Sequence, residues 1–457
     1  MDTRFATRRQ ELLKAAVCSP AVTAETLAQL DEFLQPFAQS LAEPEQRTHT
    51  TEYVQGLLSS LDSKTGEGIA YLHDHNRQGI QKFIGQVPWD HQPLIGTLAT
   101  QVGQQIGEAD AVLVFDPSAF PKKGDQSVGV QRQWCGRLGK TDNCQVGVFL
   151  GYVSRCEHTL VDVRLYMPRV WTQDRTRCRE AGVPKRTTFR TRHELALAML
   201  DEHGAKLPHG WISGDDEMGR PAHFRQELRT RNERYVLAVP SNTGIRNLEI
   251  DPPVSAGRGR KRERPFISVS RWCAALPESA WTRIEVRDGS KGPLVTEAVA
   301  CRVHAKLGTS AGPEERLFVT REKQRDGTYQ HDYYLAHAGG AEVTLAELAR
   351  VAKAEHRIEE CLQRAKSEAG LGDYQVRTWI GWHHHLTLSL LAVWFLVGAT
   401  RRGKNPDTRV DGSTSSEVDR VPPGGVAEVP RKRDGPSACD SMATAKRTGQ
   451  GLLLPAA

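Results

Sequence analysis

The sequence predicts a mixed α/β chain: a mixed sheet flanked by helices, preceded by a helical segment and interrupted by a β-rich insertion. Three observations predict it. Residues 111–240 alternate short apolar runs with amphipathic helical stretches in the order β-β-β-α-β-α-β, which calls for a sheet covered by helices. Residues 22–105 carry apolar side chains three and four apart with little β-branched enrichment, the mark of helix. Residues 241–343 lose both rhythms and hold strand-like pieces between Gly, Pro and charged runs.

The helical stretches LAQLDEFLQPFAQSL, YVQGLLSSL and GIAYLHDHNRQGIQKFIGQV outline an N-terminal domain over 1–105. At 111–115 the run AVLVF, closed by Asp116-Pro117, predicts a strand buried on both faces. Residues 145–153 and 159–166 read as a hairpin around a turn-rich 154–158. The helix expected at 190–205 ends near Gly204, GWISG at 210–214 leads into Asp215-Asp216, and a helix at 221–229 precedes a strand at 235–240. These make up the first part of the core, 106–240. RIEVRDG, AVACRVHAKL, RLFVTREK and YYLAHA are the strands of the insertion, 241–343. Thr344-Leu-Ala-Glu347 has capping-box form and opens a long helix stopping near Gly370, and a last helix covers 375–397; together they form the C-terminal part of the core, 344–399.

At ~150 residues per domain, 457 residues allow two or three domains. Lys and Arg exceed Asp and Glu by 61 − 55 = 6 charges, which permits a polyanion partner without requiring one. Nine cysteines with no C-x-x-C spacing argue against a zinc knuckle, a thioredoxin-type pair and a fully paired disulfide framework, leaving reduced thiols. The N-terminus lacks a signal pattern, and the longest apolar run, 386–399, is shorter than the ~20 residues a bilayer needs and reads as a buried helix. From 400 onward there is no Phe, Trp, Tyr or Ile, so 400–457 is expected to be a disordered tail. A cytoplasmic protein without a membrane span is the expectation.

Gly139-Lys140-Thr141 has the ending of a phosphate loop, but the glycine required five residues earlier is Trp134, which excludes that motif. The histidines 383–385 cannot share one helix face, since neighbours stand about 100° apart, and are expected to be solvated or to face nucleic acid rather than to hold a metal. Three carboxylates remain: Asp116 after the first strand, Asp215 after the fourth, and Glu359 in the long helix. Each has an ordinary alternative as a turn residue, a helix cap or a solvent-facing glutamate. Together, from two strand ends and a helix packed on the sheet, they can converge at one sheet edge and hold two Mg²⁺ ions through hard oxygen ligands.

Phe115-Asp116-Pro-Ser-Ala-Phe-Pro-Lys-Lys-Gly124, with Ser127 to Gly136 and Asn143-Cys-Gln145, resembles the first acidic block of bacterial insertion-sequence transposases of the DDE superfamily. Trp211-Ile-Ser-Gly-Asp215, with Gly219 and Phe224-Arg225, resembles the second block, and Arg357-Ile-Glu359 through Leu371, followed by Tyr374 to Trp379, the third. The resemblance runs from about residue 50 to 398. It implies an RNase H-like core interrupted by a β-rich insertion, and Asp116, Asp215 and Glu359 as the DDE triad and metal ligands. Asp216 competes for the second place, but the interval to Gly219 favours Asp215.

Related transposases often carry Y-x-x-R-x-x-x-E-x-x-x-x-x-x-K on the glutamate helix. Here Glu359 and Lys366 keep their interval, while the Tyr and Arg positions are Ala352 and Glu355. Lys366 is a DNA contact or an ordinary exposed helix lysine. Glu355 lies about 40° from Glu359 around the helix, and Glu360 about 100°.

The resemblance implies DNA as partner, both transposon ends and target, a homodimer on that DNA, and Mg²⁺ with Mn²⁺ as substitute. Basic clusters suit it: eight Lys or Arg against two acidic residues over 169–192, and Arg258, Arg260, Lys261 and Arg262 in the run ending at Arg264. Lys122 and Lys123, near Asp116, are further phosphate candidates. A Mg²⁺-dependent nuclease without strand transfer, and an inactive transposase-derived DNA-binding protein, stay open as alternatives.

Overall fold

The computed structural model describes residues 20–73, 76–250, 264–289 and 292–404. Five helices come first: Pro20–Ala38, Pro44–Leu58, Gly66–Leu72, Arg77–Gly85 and Gln92–Ile106. Thr65 and Asn76 cap the third and fourth by accepting from the backbone N–H of Gly68 and Gln78. Pro44 and Pro93 stand in first turns, where a missing N–H costs no hydrogen bond. Leu34, Phe37, Tyr53, Leu57, Leu94 and Leu98 from these helices belong to the same continuous core as the sheet and the last helix.

Among the described residues twelve strands form one sheet. Its first half is β1 (Val112–Pro121), β2 (Gln131–Cys135), β3 (Lys140–Val153), β4 (His158–Leu165), β5 (Trp211–Gly214) and β6 (Tyr235–Ala238). Its second half is β7 (Gly244–Asn247), β8 (Ile267–Ser268), β9 (Thr282–Gly289), β10 (Gly292–Leu307), β11 (Ser310–Lys323) and β12 (Tyr329–His337). The order is β2-β3-β1-β5-β6-β12-β11-β10-β7-β8, with β4 also on β3 and β9 also on β10. The expected hairpin is β3–β4, with Val153 opposite His158. The stretch 241–343 builds no sheet of its own: β12 pairs antiparallel with β6, Leu335 opposite Leu237, and carries the core sheet onward.

The first strand departs from the sequence reading. It passes through Asp116 and Pro117 instead of stopping there, because β3 stays paired with it as far as Pro121, opposite Cys144. On the other side β5 lets go at Phe115, opposite Gly214. One edge of β1 is therefore open from Asp116 onward, and open edges are where strands tolerate proline.

The helix expected from 344 to 370 is two helices, Leu345–Ala352 and Ala354–Glu368. At the break, Lys353 has ψ −3°, away from the helical value. Its ammonium is drawn to the sheet, 2.7 Å from Glu322 on β11 and 3.5 Å from Asp332 on β12. Thr344 caps the first helix as its sequence suggests, accepting from Glu347 N at 3.2 Å. The second ends where Gly370 takes φ +61° and Leu371 N reaches back to Ala365 O at 3.0 Å.

Helix Ala354–Glu368 crosses β4, β3 and β1 and reaches β5. Gly151 on β3 permits the close approach, since a Cβ there would stand 2.5 Å from Ile358 Cδ1. Arg357 fastens the helix to the β3–β4 turn by donating to Ser154 O at 2.9 Å, Arg155 O at 3.1 Å and Cys156 O at 2.7 Å.

The last helix, Trp379–Lys404, contains the apolar run. It is long and apolar enough to cross a membrane, but 83% of that stretch is buried inside the protein, with Leu386, Leu390, Leu391 and Trp394 in the core. It extends past residue 400, where the tail was expected to begin; the rest of the proposed tail, 405–457, lies outside the described residues.

The three histidines on this helix overturn the expectation of solvated or nucleic-acid-facing side chains. All are buried. His383 Nδ1 lies 2.9 Å from Trp379 O, His384 stacks on Trp89 at 3.6 Å, and His385 Nδ1 meets Tyr53 Oη at 2.9 Å. Burial holds all three imidazoles below their ordinary range, His384 at about 4 and His385 at about 3, so they are neutral at pH 7. The sequence pattern gave no sign of this, because Tyr53, Trp89 and His91, far back in the chain, pack onto them together with the nearby Tyr374, Trp379 and Trp382.

Gly219, singled out in the sequence, ends the short helix Asp216–Gly219 against β6. A Cβ there would fall on the carbonyl oxygen of Ala238 and 3.1 Å from Leu237 Cβ. Because backbone rather than a flexible side chain must yield, Gly219→Ala is expected to destabilise the fold by about 3 kcal/mol. Urea unfolding checks this, with Gly85→Ala, which meets nothing within 4 Å, as the near-neutral control. Equal midpoints for the two variants would contradict the contact.

Candidate active site

Strand register sets the first two carboxylates beside each other. Phe115 and Gly214 are paired on parallel strands, and the next residues are Asp116 and Asp215. Neighbouring strands are about 4.8 Å apart, so both residues lie at the carboxyl edge of the β1–β5 pair, where open α/β sheets receive ligands.

Asp215 caps the helix that follows it, Oδ1 accepting from Met218 N at 3.0 Å. Loss of solvent pushes its carboxyl well above the ordinary range, and the charges of Asp116, Glu217 and Asp216 push the same way against the Met218 hydrogen bond. Asp216 is more than half exposed and paired with Arg220 at 2.9 Å, and Glu217 is paired with Arg192.

Helix Ala354–Glu368 brings the third acidic group. Desolvation first, then the charges of Asp215, Glu359, Asp116 and Asp332, pushes the Glu355 carboxyl well above its ordinary range. Glu359, one turn along, acts on Glu355 in this field, but its own side chain is 41% exposed and lies 3.6 Å from His356 Nδ1. Glu360 lies on the other ring nitrogen of that histidine, at 3.3 Å.

Sequence reasoning missed Asp332 and Glu217 as members of the acidic cluster. Asp332 sits two residues before Tyr334, the partner of Ala238, so antiparallel pairing carries β12 past the carboxyl end of β6 and delivers it to this edge. Nothing local in the sequence marks that placement.

The lysines divide. Lys366 is turned toward the sheet, its Nζ donating to Ser118 Oγ at 2.9 Å and standing 5.4 Å from the Phe120 ring, both on β1 beyond Asp116. Lys122 turns instead to the segment after the glutamate helix, donating to Tyr374 O at 3.1 Å with its ammonium 3.3 Å from that ring. Burial pushes Lys122 down to about 8. Lys123 is exposed, and Arg258, Arg260, Lys261 and Arg262 lie outside the described residues.

The donors are carboxylate oxygens, hard ligands suited to Mg²⁺ or Mn²⁺. Burial first and neighbouring negative charge second raise these carboxyls, and a divalent cation would relieve the second of the two. Among the described residues no three His, Cys, Asp or Glu side chains form a group already disposed around one ion, so the cluster offers oxygen donors and field without a closed ligand set.

The family model described as DDE superfamily endonuclease matches residues 36–293, a stretch that contains Asp116 and Asp215 and ends before the glutamate helix. A probable transposase for insertion sequence element IS701 from Microchaete diplosiphon is 28% identical over 284 residues, which are 60% of this chain and 68% of that protein. The cryo-EM structure of the piggyBac transposase synaptic complex with hairpin DNA aligns with 83% of this chain and 73% of its own at 9% identity and a TM-score of 0.34, a likeness too loose to support a fold assignment.

Proposed function

Because this chain belongs to the DDE superfamily endonucleases, we propose that it is an insertion-sequence transposase that cuts phosphodiester bonds at the ends of its element and joins the freed 3′-hydroxyl to target DNA. The observation that carries this reading is the acidic cluster at the open carboxyl edge of β1 and β5, where Asp116 acts on Asp215, both act on Glu355, and Glu359 acts on Glu355 from one turn away. An antiparallel β4-β3-β1 meander followed by parallel β5 and β6 supports an RNase H-like core.

Asp116, Asp215 and Glu359 would hold the divalent cations, which when bound lower the pKa of the attacking hydroxyl and stabilise the leaving oxygen. The chain's own part is positioning. The Met218 N–H fixes one oxygen of Asp215, Arg357 sets the glutamate helix against the β3–β4 turn, and Lys366 brings positive charge to β1 just past Asp116. In such a site the reaction depends on alignment and electrostatics.

A labelled-end assay tests the proposal: DNA carrying the element's ends, incubated with a target plasmid and Mg²⁺, is expected to give joined products. Cleavage without joining would favour a nuclease. Lys122 supplies a pH signature. Held at about 8, it is charged at pH 7 and neutral at pH 9, so at fixed salt DNA affinity is expected to fall a few-fold over that interval, about one phosphate contact. Lys122→Arg should remove the fall, and an unchanged profile in that variant would show that Lys122 makes no such contact.

A further inference from the structure

A concave site that shares no residue with the acidic cluster lies at the start of the last helix. A cavity of about 360 Å³ is lined by Pro88, Trp89, His91, Pro184, Trp379 and His383, among others. Rings from Trp89, His91, Trp379, His383 and His384 make up half of its lining. Trp89 is itself stacked between Phe83 and His384, with centroids 5.5 and 3.6 Å apart and planes within 15°, and His383 lies 4.3 Å from the Trp379 ring and 4.9 Å from His91. Trp89 is braced by its own N–H donating to Phe83 O at 3.2 Å, and His383 and His384 are buried and neutral, which leaves Asp90 as the one charged side chain of the lining.

The chain segment beside the cavity is the opposite in character. Gly182 and Pro184 belong to the basic segment found in the sequence, and Trp379 N donates to Ala181 O at 2.8 Å, tying that segment to the helix. Arg175, Arg179, Lys185, Arg186 and Arg190 of the segment are exposed, as is Arg377 two residues before Trp379. Asp90 at the rim is engaged in capping Gln92 N at 3.0 Å, and Asp174 caps Arg177 N at 2.9 Å.

We propose that this cavity receives an unstacked nucleobase of a DNA strand, with the strand's phosphates on the basic rim. Flat aromatic and imidazole walls accept any base by its π-face, and an adjoining cationic surface follows the backbone, the combination by which proteins hold single strands. An apolar small molecule would use the walls but leave the surrounding cations without a role. The inference rests on the DNA-processing reading and assigns it a binding site that the acidic cluster does not provide.

Fluorescence anisotropy of the full-length chain tests it with a single-stranded oligodeoxynucleotide and an abasic oligomer of equal length and charge. The base-bearing strand is expected to bind on the order of tenfold more tightly. Trp379→Ala should erase that preference while duplex affinity stays within twofold. Pro184→Trp, which adds an indole at the exposed mouth, should erase it as well and serves where the first variant lowers the melting temperature. Equal affinity of the wild-type chain for both oligomers, or a preference kept in both variants, would overturn the base site alone. Binding of neither oligomer nor duplex would overturn the DNA reading with it.

Discussion

Asp116→Asn is expected to lower cleavage of end-containing DNA by on the order of 10³-fold while DNA binding changes less than a few-fold. The substitution keeps shape and the basic surface but removes one negative charge from the acidic edge, and a metal–oxygen interaction there is worth several kcal/mol of transition-state stabilisation. Binding and cleavage measured side by side in Mg²⁺ separate these effects, and normal cleavage by the variant would refute the role of Asp116. Asp215→Asn should match it in activity and add a stability signature.

In the folded chain burial and the neighbouring charges raise the Asp215 carboxyl, so the native state holds its proton to higher pH than the unfolded state does. A group shifted upward in this way loses stability as pH rises from the ordinary carboxylate range through its folded value. The asparagine variant escapes that loss. Its metal-free melting temperature should therefore exceed that of the unmodified chain at pH 7, with the difference vanishing below about pH 4, and Mg²⁺ should raise the melting temperature of the unmodified chain more than that of the variant. The same melting temperature for both at pH 7 would show that Asp215 is not under this electrostatic load.

The second large effect concerns the helix. Glu359→Gln is expected to eliminate catalysis, Glu355→Gln to reduce it about ten- to hundredfold, in the range seen when groups supporting a metal site are removed, and Glu360→Gln to be nearly silent. Glu355 stands in the field of Asp215 and Asp116, Glu359 acts on it from one turn away, and Glu360 is half-exposed on His356. Single-turnover cleavage of a pre-nicked substrate compares the three without interference from assembly. Full activity in the Glu359 variant together with loss in the Glu355 variant would move the ligand one helical turn.

Local patterns carried much of the architecture. The continuous apolar run before Asp116 has β1 buried on both faces, the 145–166 region is a hairpin, and Thr344 and Gly370 bound the helical segment that bears the glutamates, because periodicity, capping and left-handed glycine are written in neighbouring residues. The spacing of the aspartates after strand-like runs pointed to one sheet edge for the same reason: a residue's place at the end of a strand is a local property.

What only the tertiary structure decided depends on residues far apart in the chain. The adjacency of Asp116 and Asp215 comes from the parallel register of β1 and β5, and Asp332 joins them only because β12 pairs antiparallel with β6. The break at Lys353 answers to carboxylates on β11 and β12, and Lys366 faces β1 because Gly151 lets the helix settle onto the sheet. Histidines 383–385 look like surface residues in sequence, yet Tyr53, Trp89 and His91 from far back in the chain help to enclose them and burial keeps them neutral. Burial and charge proximity are sums over the whole fold, so a side chain's exposure, partner and protonation follow from packing that no stretch of neighbouring residues specifies.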